Sequence, residues 1–378
     1  MNSLSVDNCT GCMLCMAVCP EHCISKNKDN EGFWFPKIDL RKCIHCGKCE
    51  NVCPINNILD NNTSIKSFSA YALDDSIRLS SSSGGVFYCL AEGVIKKGGL
   101  VCAAAFDKDY TRVKHFCVEK KSELELLKGS KYLQSDISKV FLDIEKYLDS
   151  KREVLFVGTP CEVAAIKKYI NSNKEFLTTI DIICHGVPSE LVWVKYLESV
   201  HKGRDISFVS MRNKRFGWKN FAMKVSYNNH PQYIRSLAFD LYLRGFLENL
   251  YLRKSCYDCH FKSADRIGDI TIGDYWGKEL TDHKGVSLIG INTNKGIRLF
   301  ENTKSNLFYE ECDWVKTITK NIAATESPPQ NANRSIFFKE LNKSDNFTKS
   351  VKKCLSRRSV KDNLYYYFQL VKNRREMT

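Results

Sequence analysis

Eight cysteines near the N-terminus have the spacing of iron–sulfur ligands. The pattern C-x2-C-x2-C-x3-C-P occurs twice, first as CTGCMLCMAVCP and then as CIHCGKCENVCP. In paired runs of this kind, three thiolates bind one [4Fe–4S] cluster and the fourth, beside the proline, binds the other cluster. The predicted ligand sets are Cys9, Cys12, Cys15 and Cys53 for one cluster, and Cys43, Cys46, Cys49 and Cys19 for the other. Residues 1–60 are therefore predicted to form a ferredoxin-like α+β module with two clusters.

Zinc is the alternative metal for a cysteine-rich module. A structural zinc site uses four ligands, usually supplied as two C-x2-C pairs. Two consecutive runs of four cysteines, each closed by a proline, favour clusters over zinc. Iron–sulfur clusters exchange one electron at a time, so this part of the chain is predicted to transfer electrons.

The composition of the chain indicates the redox environment of the other cysteines. The chain has 378 residues and 18 cysteines. It shows no signal peptide at its start and no apolar run of the length that a membrane span needs. A cytoplasmic location is therefore expected, where the thiols would be metal ligands or buried thiols and not disulfides.

The formal net charge of +14 does not come from the cysteine-rich module. Residues 1–60 hold seven acidic and six basic side chains, whereas residues 351–378 hold eight basic and two acidic ones. A basic segment of this kind is a solvated tail, or it docks on a partner enzyme or an anionic membrane surface.

A second group of cysteines follows predicted strands. VLFV and TTIDIIC are each followed by a helical stretch, which predicts a βαβ unit in an α/β domain with a largely parallel sheet. Cys161 and Cys184 then lie at the carboxyl edge of the sheet, where open α/β folds build their sites. Cys256 and Cys259 form a further C-x2-C pair. Either the fold brings all four thiols together as one ligand set, or they are two buried cysteines and an unrelated pair or zinc site.

Three turns could offer N–H groups and hydroxyls to a phosphorylated cofactor. They are SSSGG (Ser81–Gly85), which precedes a predicted apolar helix (Val86–Lys96) and a short buried strand (Leu100–Phe106), GSKYLQS (Gly129–Ser135), which includes Lys131, and GTP (Gly158–Pro160). Most such turns are only helix caps, and no GxGxxG follows a strand, so a Rossmann fingerprint is absent. The basic loop RNKRFGWKN (Arg212–Asn220) either holds an anionic ligand or nucleic acid, or is an exposed hairpin. No nucleic-acid motif accompanies it, and no nucleic-acid partner is expected.

As a set, the motifs resemble the family of beta subunits of coenzyme F420 (deazaflavin) hydrogenases and dehydrogenases, which includes the plant hydroxymethyl-chlorophyll a reductase. The matching motifs are SSGGVF, GSKYLQS, VGTPCEVAAIKKY, ICHGVPS, MRNKRFGW and CYDCHFKSADRIGDITIGDYWG, between Ser81 and Gly277. The family binds FAD and a [4Fe–4S] cluster in this domain. The resemblance thus implies that Cys161, Cys184, Cys256 and Cys259 hold a third cluster.

The resemblance also implies where FAD binds. The expected FAD contacts are Ser82, Ser83, Gly84, Gly85, Lys131, Tyr132, Gln134, Ser135, Gly158, Thr159, Pro160, Arg212 and Lys214. His185, Asp265 and Asp274 are the ionisable residues near this site that could move a proton, although both aspartates are equally suited to turns.

These parts together predict an FAD- and iron–sulfur-dependent oxidoreductase. Clusters pass single electrons, whereas a flavin takes or gives two as a hydride. The expected partners are a one-electron protein such as ferredoxin and a small-molecule substrate. The expected domains are the cluster module at 1–60, the FAD and third-cluster domain at 65–312, and a basic helical extension at 313–378. The alternative is a non-catalytic electron-transfer subunit that docks on a partner enzyme.

Overall fold

The computed structural model describes residues 7–277, 282–359, 361 and 364–370. Its strands form three sheets, of two, three and nine strands. The strands are β1 (Ile24–Lys28), β2 (Trp34–Ile38), β3 (Lys66–Ala72), β4 (Leu100–Phe106), β5 (Val113–Val118), β6 (Ser135–Asp136), β7 (Val154–Gly158), β8 (Leu177–Ile182), β9 (Ile206–Asn213), β10 (Ala222–Tyr227), β11 (Tyr233–Ser236), β12 (Ile270–Asp274), β13 (Ser287–Ile291) and β14 (Leu307–Glu311).

Helices flank the sheets. The α-helices are α1 (Leu14–Ala17), α2 (Lys48–Asn51), α3 (Asp75–Ser80), α4 (Val86–Lys96), α5 (Leu124–Leu127), α6 (Val140–Asp149), α7 (Pro160–Tyr169), α8 (Glu190–Tyr196), α9 (Leu241–Leu247), α10 (Asn294–Glu301), α11 (Trp314–Ile318), α12 (Ile322–Thr325), α13 (Arg334–Ser344) and α14 (Phe347–Cys354). A turn of π-helix, Leu197–His201, continues α8. Within the described ranges, no helix is long and apolar enough to cross a membrane.

The nine-stranded sheet is mixed, which corrects the prediction of a largely parallel sheet. Its strand order is β14-β3-β13-β12-β8-β7-β4-β5-β6. The central strands β12, β8, β7 and β4 are parallel to one another, and β7, α7 and β8 form the predicted βαβ unit. Toward the edges, β13, β3, β14 and β5 pair with antiparallel neighbours. Only the short turn 107–112 joins β4 to β5, and a turn of this length forces antiparallel pairing because a parallel pair needs a crossover.

The elements that flank the serine turn follow from local sequence. α4 spans Val86–Lys96 and β4 spans Leu100–Phe106, the bounds that the sequence predicts. Gly85 and Gly98, at the two ends of α4, have φ angles of +88° and +80°, which favour glycine. The apolar face of α4 packs on the sheet, so the serine turn is held against the ends of the strands.

One cysteine pair departs from the prediction that the thiols are reduced. Cys102 of β4 and Cys117 of β5 form a disulfide. The two residues are direct partners in the antiparallel register, which brings their side chains together on one face of the sheet. The sequence prediction rested on compartment alone and did not include this register.

Apolar side chains pack on both faces of the large sheet. One core includes α4 and α10, and the opposite core includes α6, α7 and Leu14 from α1. A third core joins the sheet β9–β11 to α8, α9, α13 and α14, and it also takes in Phe33. Residues 334–354, within the predicted extension, therefore share a core with the rest of the chain. The basic residues Lys372, Arg374 and Arg375 lie outside the described residues.

The N-terminal module packs closely on the rest of the chain. Glu31 forms a two-point ion pair with Arg334, whose side chain is 3% exposed. Lys28 pairs with the buried Glu190 at 2.6 Å, and Lys26 pairs with Asp136. Charges that a free module would expose to water are here paired across an internal interface.

Candidate functional site

Electrostatic contacts show which cysteines of the N-terminal module lie near one another, and Cys15 interacts with Cys49 of the other predicted set as well as with its own. Burial raises the pKa of the Cys15 thiol well above its usual value, and the nearby charges of Cys12, Cys9 and Cys53 raise it further. Burial likewise raises the pKa of Cys12 to about 12, with Cys9 and Cys53 again as neighbours. The first predicted ligand set is therefore brought together by the fold.

The second predicted set lies on a more open part of the module. Cys19 and Cys43 flank the buried Cys23, whose Sγ lies 3.4 Å from the Cys19 Sγ. Cys46 is exposed, in contrast to the buried Cys15 of the first set. Cys23 was not among the predicted ligands, because it falls outside the repeated spacing.

Four further cysteines converge beside the large sheet. Electrostatic contacts join Cys161 to Cys184 and Cys259, and join Cys184 to Cys256 and Cys259. Burial is the main cause of the raised pKa of each of Cys161, Cys184 and Cys256. The first alternative from the sequence, one convergent set of four thiols, is thus the arrangement observed.

Hydrogen-bond donors surround these thiols. The N–H of Val187 donates to the Cys256 Sγ at 3.4 Å, and the Thr159 hydroxyl lies 3.2 Å from the Cys161 Sγ. Lys262 Nζ donates to the carbonyl oxygens of Cys184 and Ala323. Donors and a cation stabilise thiolates, so this environment fits an anionic thiolate-bound cluster.

No group of three or more His, Cys, Asp or Glu side chains in the described ranges has the geometry for a single metal ion. Each thiolate of a cubane binds a different iron atom, so the ligands stand around the cluster and not around one ion.

A cavity of about 610 Å³ opens next to Cys184. Of the residues predicted to contact FAD or move protons, those that line it are Ser82, Ser83, Gly85, Lys131, Tyr132, Ser135, Gly158, Thr159, His185, Arg212 and Asp274. The volume lies within the roughly 300–1,000 Å³ of small-molecule and cofactor sites. The three turns, remote in sequence, therefore converge on one space beside the third cysteine set.

Five predicted residues do not line the cavity. They are Gly84, Gln134, Pro160, Lys214 and Asp265. Gly84 packs against the strands, where an added Cβ would lie 2.4 Å from the Ala70 oxygen, and Pro160 is the buried first residue of α7. Asp265 is exposed and accepts a hydrogen bond from the Thr63 hydroxyl at 2.8 Å, away from the site.

Lys214 has a supporting position behind the serine turn. It is 4% exposed, and its Nζ donates to the carbonyl oxygens of Arg78, Ser83 and Lys284. The loop between β9 and β10 is thus folded inward and is not an exposed hairpin. Its lysine fixes the main chain of the serine turn instead of facing a ligand.

Two side chains that line the cavity, Arg212 at the end of β9 and Trp218 in the loop that follows, each carry a buried N–H group. Among the described residues, neither Arg212 Nε nor Trp218 Nε1 has a hydrogen-bond partner. Arg212 is oriented by Asp274, with 2.7 Å between NH1 and Oδ2, and Trp218 is oriented by stacking on Trp276, with ring centroids 4.9 Å apart. Unpaired buried donors are costly, but His201, Ser236 and Arg244 also carry unpaired buried atoms away from the cavity, so the two donors do not by themselves indicate a ligand.

The cavity lining includes His115, which was not among the residues predicted from the sequence. His115 of β5 is 8% exposed, and its Nε2 lies 3.0 Å from the Val157 oxygen. A carbonyl oxygen only accepts, so Nε2 carries the proton, and the Ser135 hydroxyl donates to Nδ1 at 2.7 Å. Burial lowers the pKa of His115, which favours this neutral form. A polar residue at an inward position of a strand was the signal that could have identified it.

Lys131 and Tyr132 give the cavity a cation and an aromatic wall. Burial lowers the pKa of Lys131 to about 7, and its Nζ donates to the Leu127 oxygen at 2.7 Å. The ring of Tyr132 stacks on Phe246 with centroids 4.4 Å apart. A further cavity segment, 320–323, lies in the predicted C-terminal extension, from which no site residue was predicted.

His185 lies between the cavity and the third cysteine set. Its Nε2 lies 2.6 Å from the Asn249 Oδ1, and the Asn249 Nδ2 donates to the Pro329 oxygen, so Nε2 carries the proton. Burial lowers the pKa of His185. Of the three predicted proton carriers, His185 and Asp274 line the cavity, and Asp274 is paired with Arg212.

Comparison with known proteins agrees with the predicted resemblance. Residues 8–57 match the model of the 4Fe-4S dicluster domain, and residues 151–316 match the model for the C terminus of the beta subunit of coenzyme F420 hydrogenase/dehydrogenase. The serine turn and the Lys131 turn precede the second match, although they share its cavity. The N-terminal dicluster domain is confirmed.

Two curated proteins are similar to parts of the chain. The F subunit of F(420)H(2) dehydrogenase from Methanosarcina mazei is 24% identical over 191 residues, 47% of this chain and 53% of that protein. The second copy of the I subunit of NADH-quinone oxidoreductase from Geobacter metallireducens is 37% identical over 59 residues, 14% of this chain and 45% of that protein. The chain spans about half the length of the curated relatives it matches.

A solved structure of the F420-reducing [NiFe] hydrogenase complex from Methanosarcina barkeri contains a similar chain. The TM-score is 0.48 at 14% sequence identity, over 78% of this chain and 93% of that one. From the two family matches, residues 8–57 belong to the 4Fe-4S dicluster domains, and residues 151–316 belong to the C-terminal family of coenzyme F420 hydrogenase/dehydrogenase beta subunits.

Proposed function

We propose that this chain is an iron–sulfur flavoprotein oxidoreductase that exchanges electrons between its clusters and FAD held in the cavity. The observation that carries the flavin is the convergence of the serine turn, the Lys131 turn and the GTP turn on one cavity beside Cys184, with Arg212 in its wall. FAD supplies phosphate oxygens and ring carbonyls as acceptors. When bound, it takes or gives two electrons as a hydride, whereas each cluster passes one.

The protein groups have distinct parts in this function. Lys131 and the first turn of α4 present positive charge and N–H groups to phosphate. Asp274 fixes Arg212 by an ion pair, and Lys214 fixes the carbonyl groups of the serine turn. Trp218 and Tyr132 offer flat apolar walls that exclude water from a bound ring.

Electrons reach the cavity through the third cysteine set in this proposal. Cys161, Cys184, Cys256 and Cys259 would bind a [4Fe–4S] cluster, and Cys184 itself lines the cavity. His185 and Asp274 are the ionisable groups placed to hold or move a proton there. The substrate would be a small molecule that enters the same cavity, and the one-electron partner a protein such as ferredoxin.

A second candidate is an electron-transfer subunit within a larger complex. It is favoured by the two curated relatives, which are named as subunits of a dehydrogenase and of a quinone oxidoreductase. In that case a partner enzyme would perform the substrate chemistry and dock on the chain, including on its basic C-terminal segment.

Flavin analysis of the intact, anaerobically purified protein tests the proposal. We expect bound FAD, or FAD binding on reconstitution, and we expect Gly85→Val to weaken it, because an added side chain crowds the turn at 3.1 Å from Ala72. Gly98→Val is the matched control, since it has a similar φ at the other end of α4 with no atom within 4 Å of an added Cβ. Equal losses in both variants, or no FAD at all, would contradict the flavin site.

A further inference from the structure

Arg253 is a buried cation between two cysteine sets. Its side chain is 2% exposed and its backbone lies in the loop that carries Cys256, whose N–H donates to the Arg253 oxygen at 2.9 Å. Its guanidinium reaches the other way, into the N-terminal module. Nε donates to the Cys9 oxygen at 2.7 Å, and NH2 donates to the Trp34 oxygen at 2.8 Å.

Gln134 completes this contact. The Arg253 NH1 donates to the Gln134 Oε1 at 3.0 Å, and the Gln134 Nε2 donates to the Thr10 oxygen at 3.2 Å. Gly11 has a φ of +73°, and a Cβ there would lie 2.8 Å from the Arg253 NH1. Arg253 and Gln134 therefore both donate hydrogen bonds to the Cys9–Gly11 turn. Gly11 has no Cβ, which allows the guanidinium to lie this close to the turn.

The charge of Arg253 has no carboxylate partner among the described residues. The chain buries four arginines in that part, and the other three, Arg78, Arg266 and Arg334, each pair with an aspartate or glutamate. Among the described residues, the side-chain hydrogen bonds of Arg253 go to neutral amide oxygens, and its guanidinium lies over the rings of Phe35 and Phe33, 4.3 and 5.5 Å from their centroids. Aromatic faces offset only part of the cost of burying a charge, which leaves room for an anion that is not a side-chain carboxylate.

We propose that Arg253 links the cluster of Cys9, Cys12, Cys15 and Cys53 to the cluster of Cys161, Cys184, Cys256 and Cys259, and that its charge raises the reduction potential of both. The inference rests on the proposed presence of the third cluster. Thiolate-bound clusters are anionic, and they are the missing counter-charge on the two sides of the guanidinium. Because a reduced cluster carries one more negative charge than an oxidised one, a buried cation favours the reduced form.

The positions of the cysteine sets also give an order for the proposed electron-transfer steps. The Cys9 set faces the interface through Arg253, whereas the other N-terminal set includes the exposed Cys46. A single electron would enter at the Cys46 side, pass to the Cys9 cluster and move to the third cluster, with no bond or proton changed in this last step. Arg253 is a positioning residue for that transfer, since it binds the ligand loops and not the reacting atoms.

Potentiometric EPR titration of the anaerobic, intact chain tests this inference. Arg253→Gln should lower the midpoint potential of the Cys9 cluster and of the third cluster by at least about 59 mV, a tenfold change in the reduced-to-oxidised ratio of a one-electron couple. The cluster at Cys46 should keep its potential. Lys254→Gln is the matched control, because it removes a neighbouring charge whose side chain is 56% exposed and screened by water.

Each of the other possible results either supports or overturns the inference. Arg253→Lys keeps the charge and should retain most of the potential of both clusters. Unchanged potentials in Arg253→Gln, or shifts equal to those of Lys254→Gln, overturn the inference while leaving the proposed function intact. Loss of iron from both Arg253 variants overturns it as well, because the guanidinium would then serve folding alone. About 8 iron atoms in the unmodified chain, instead of about 12, would remove the third cluster and thus contradict the proposed function itself.

Discussion

Two side chains, one at the end of β9 and one in the loop that follows, show how residue chemistry defines the candidate flavin site. Arg212 and Trp218 both carry a buried donor without a partner among the described residues, and both are held in place by a neighbour. A side chain whose orientation is already fixed loses little conformational entropy when it binds a ligand. Two side chains in the cavity wall are thus already ordered before a ligand binds.

Substitution of Trp218 separates ligand binding from folding. Trp218→Phe removes the Nε1 donor and keeps an aromatic ring against Trp276, so we expect FAD affinity to fall by about tenfold, the value of one lost hydrogen bond of roughly 1.4 kcal/mol. The thermal midpoint of the protein without FAD should not fall through a lost hydrogen bond, because none is lost, and removal of an unpaired buried donor offsets the smaller packing area of the phenyl ring. Flavin titration and thermal unfolding of the same samples give both values, and an affinity equal to that of the unmodified protein would place the ligand elsewhere.

The pH dependence of FAD binding should reflect the protonation state of Lys131. Burial lowers its pKa to about 7 in the free protein. An anionic ligand favours the charged lysine and raises that pKa, so binding takes up a proton above about pH 7 and affinity falls as the pH rises. Lys131→Met should bind more weakly at low pH and lose this part of the pH dependence. The same pH profile in both proteins would show that Lys131 does not face the bound anion.

At the scale of single elements, strand geometry explains which sequence predictions held. Helix α4 and strand β4 have their predicted bounds because glycines and apolar periodicity define them locally. Gln134 and Ser135 are neighbours in one motif, yet side chains alternate along extended chain. Ser135 therefore reaches His115 in the cavity, while Gln134 reaches Arg253 at the module interface. A sequence motif predicts the turn but not the face to which each residue points.

Contacts between distant segments were beyond the sequence alone. Arg253 and Cys9 are separated by most of the chain, and nothing near either residue predicts their hydrogen bond. Likewise, the pairing of Cys102 with Cys117 depends on the register of two strands. The inward fold of the β9–β10 loop depends on Lys214, which finds its three carbonyl acceptors on other elements.

The interface between the N-terminal module and the sheet domain depends on a buried ion pair. Glu31→Gln leaves the Arg334 guanidinium without its partner, so we expect a loss of about 3–5 kcal/mol in the free energy of unfolding. The double variant Glu31→Gln with Arg334→Met should recover much of that loss, because no unpaired charge remains. Denaturant unfolding measures both, and Asp39→Asn, which breaks the exposed pair with Arg41, should change it by only about 0.5 kcal/mol. A comparable loss in Asp39→Asn would argue against burial as the cause.

The loop that carries Cys256 and Cys259 should contribute one cluster and no more. Cys256→Ser removes a ligand of the proposed third cluster and leaves the eight N-terminal cysteines untouched. We expect iron analysis to fall from about 12 to about 8 atoms per chain. An iron content near 8 before the substitution, unchanged after it, would show that these four cysteines do not hold a cluster.

Across the whole molecule, the parts form one continuous path. The exposed Cys46 lies on the N-terminal module, Arg253 joins that module to the loop of Cys256, and Cys184 borders the cavity. In the proposed function, this order places the one-electron groups outside and the two-electron group inside. A protein built this way converts single electrons into a paired reduction, or the reverse.

An anaerobic reductive titration of the intact protein with a one-electron donor is the most direct test of the proposed electron path. Three clusters accept one electron each and FAD accepts two, so we expect about five electrons per chain, with the flavin spectrum bleached as part of the total. Saturation at about two electrons, with no flavin signal, would leave only the two N-terminal clusters and contradict the account.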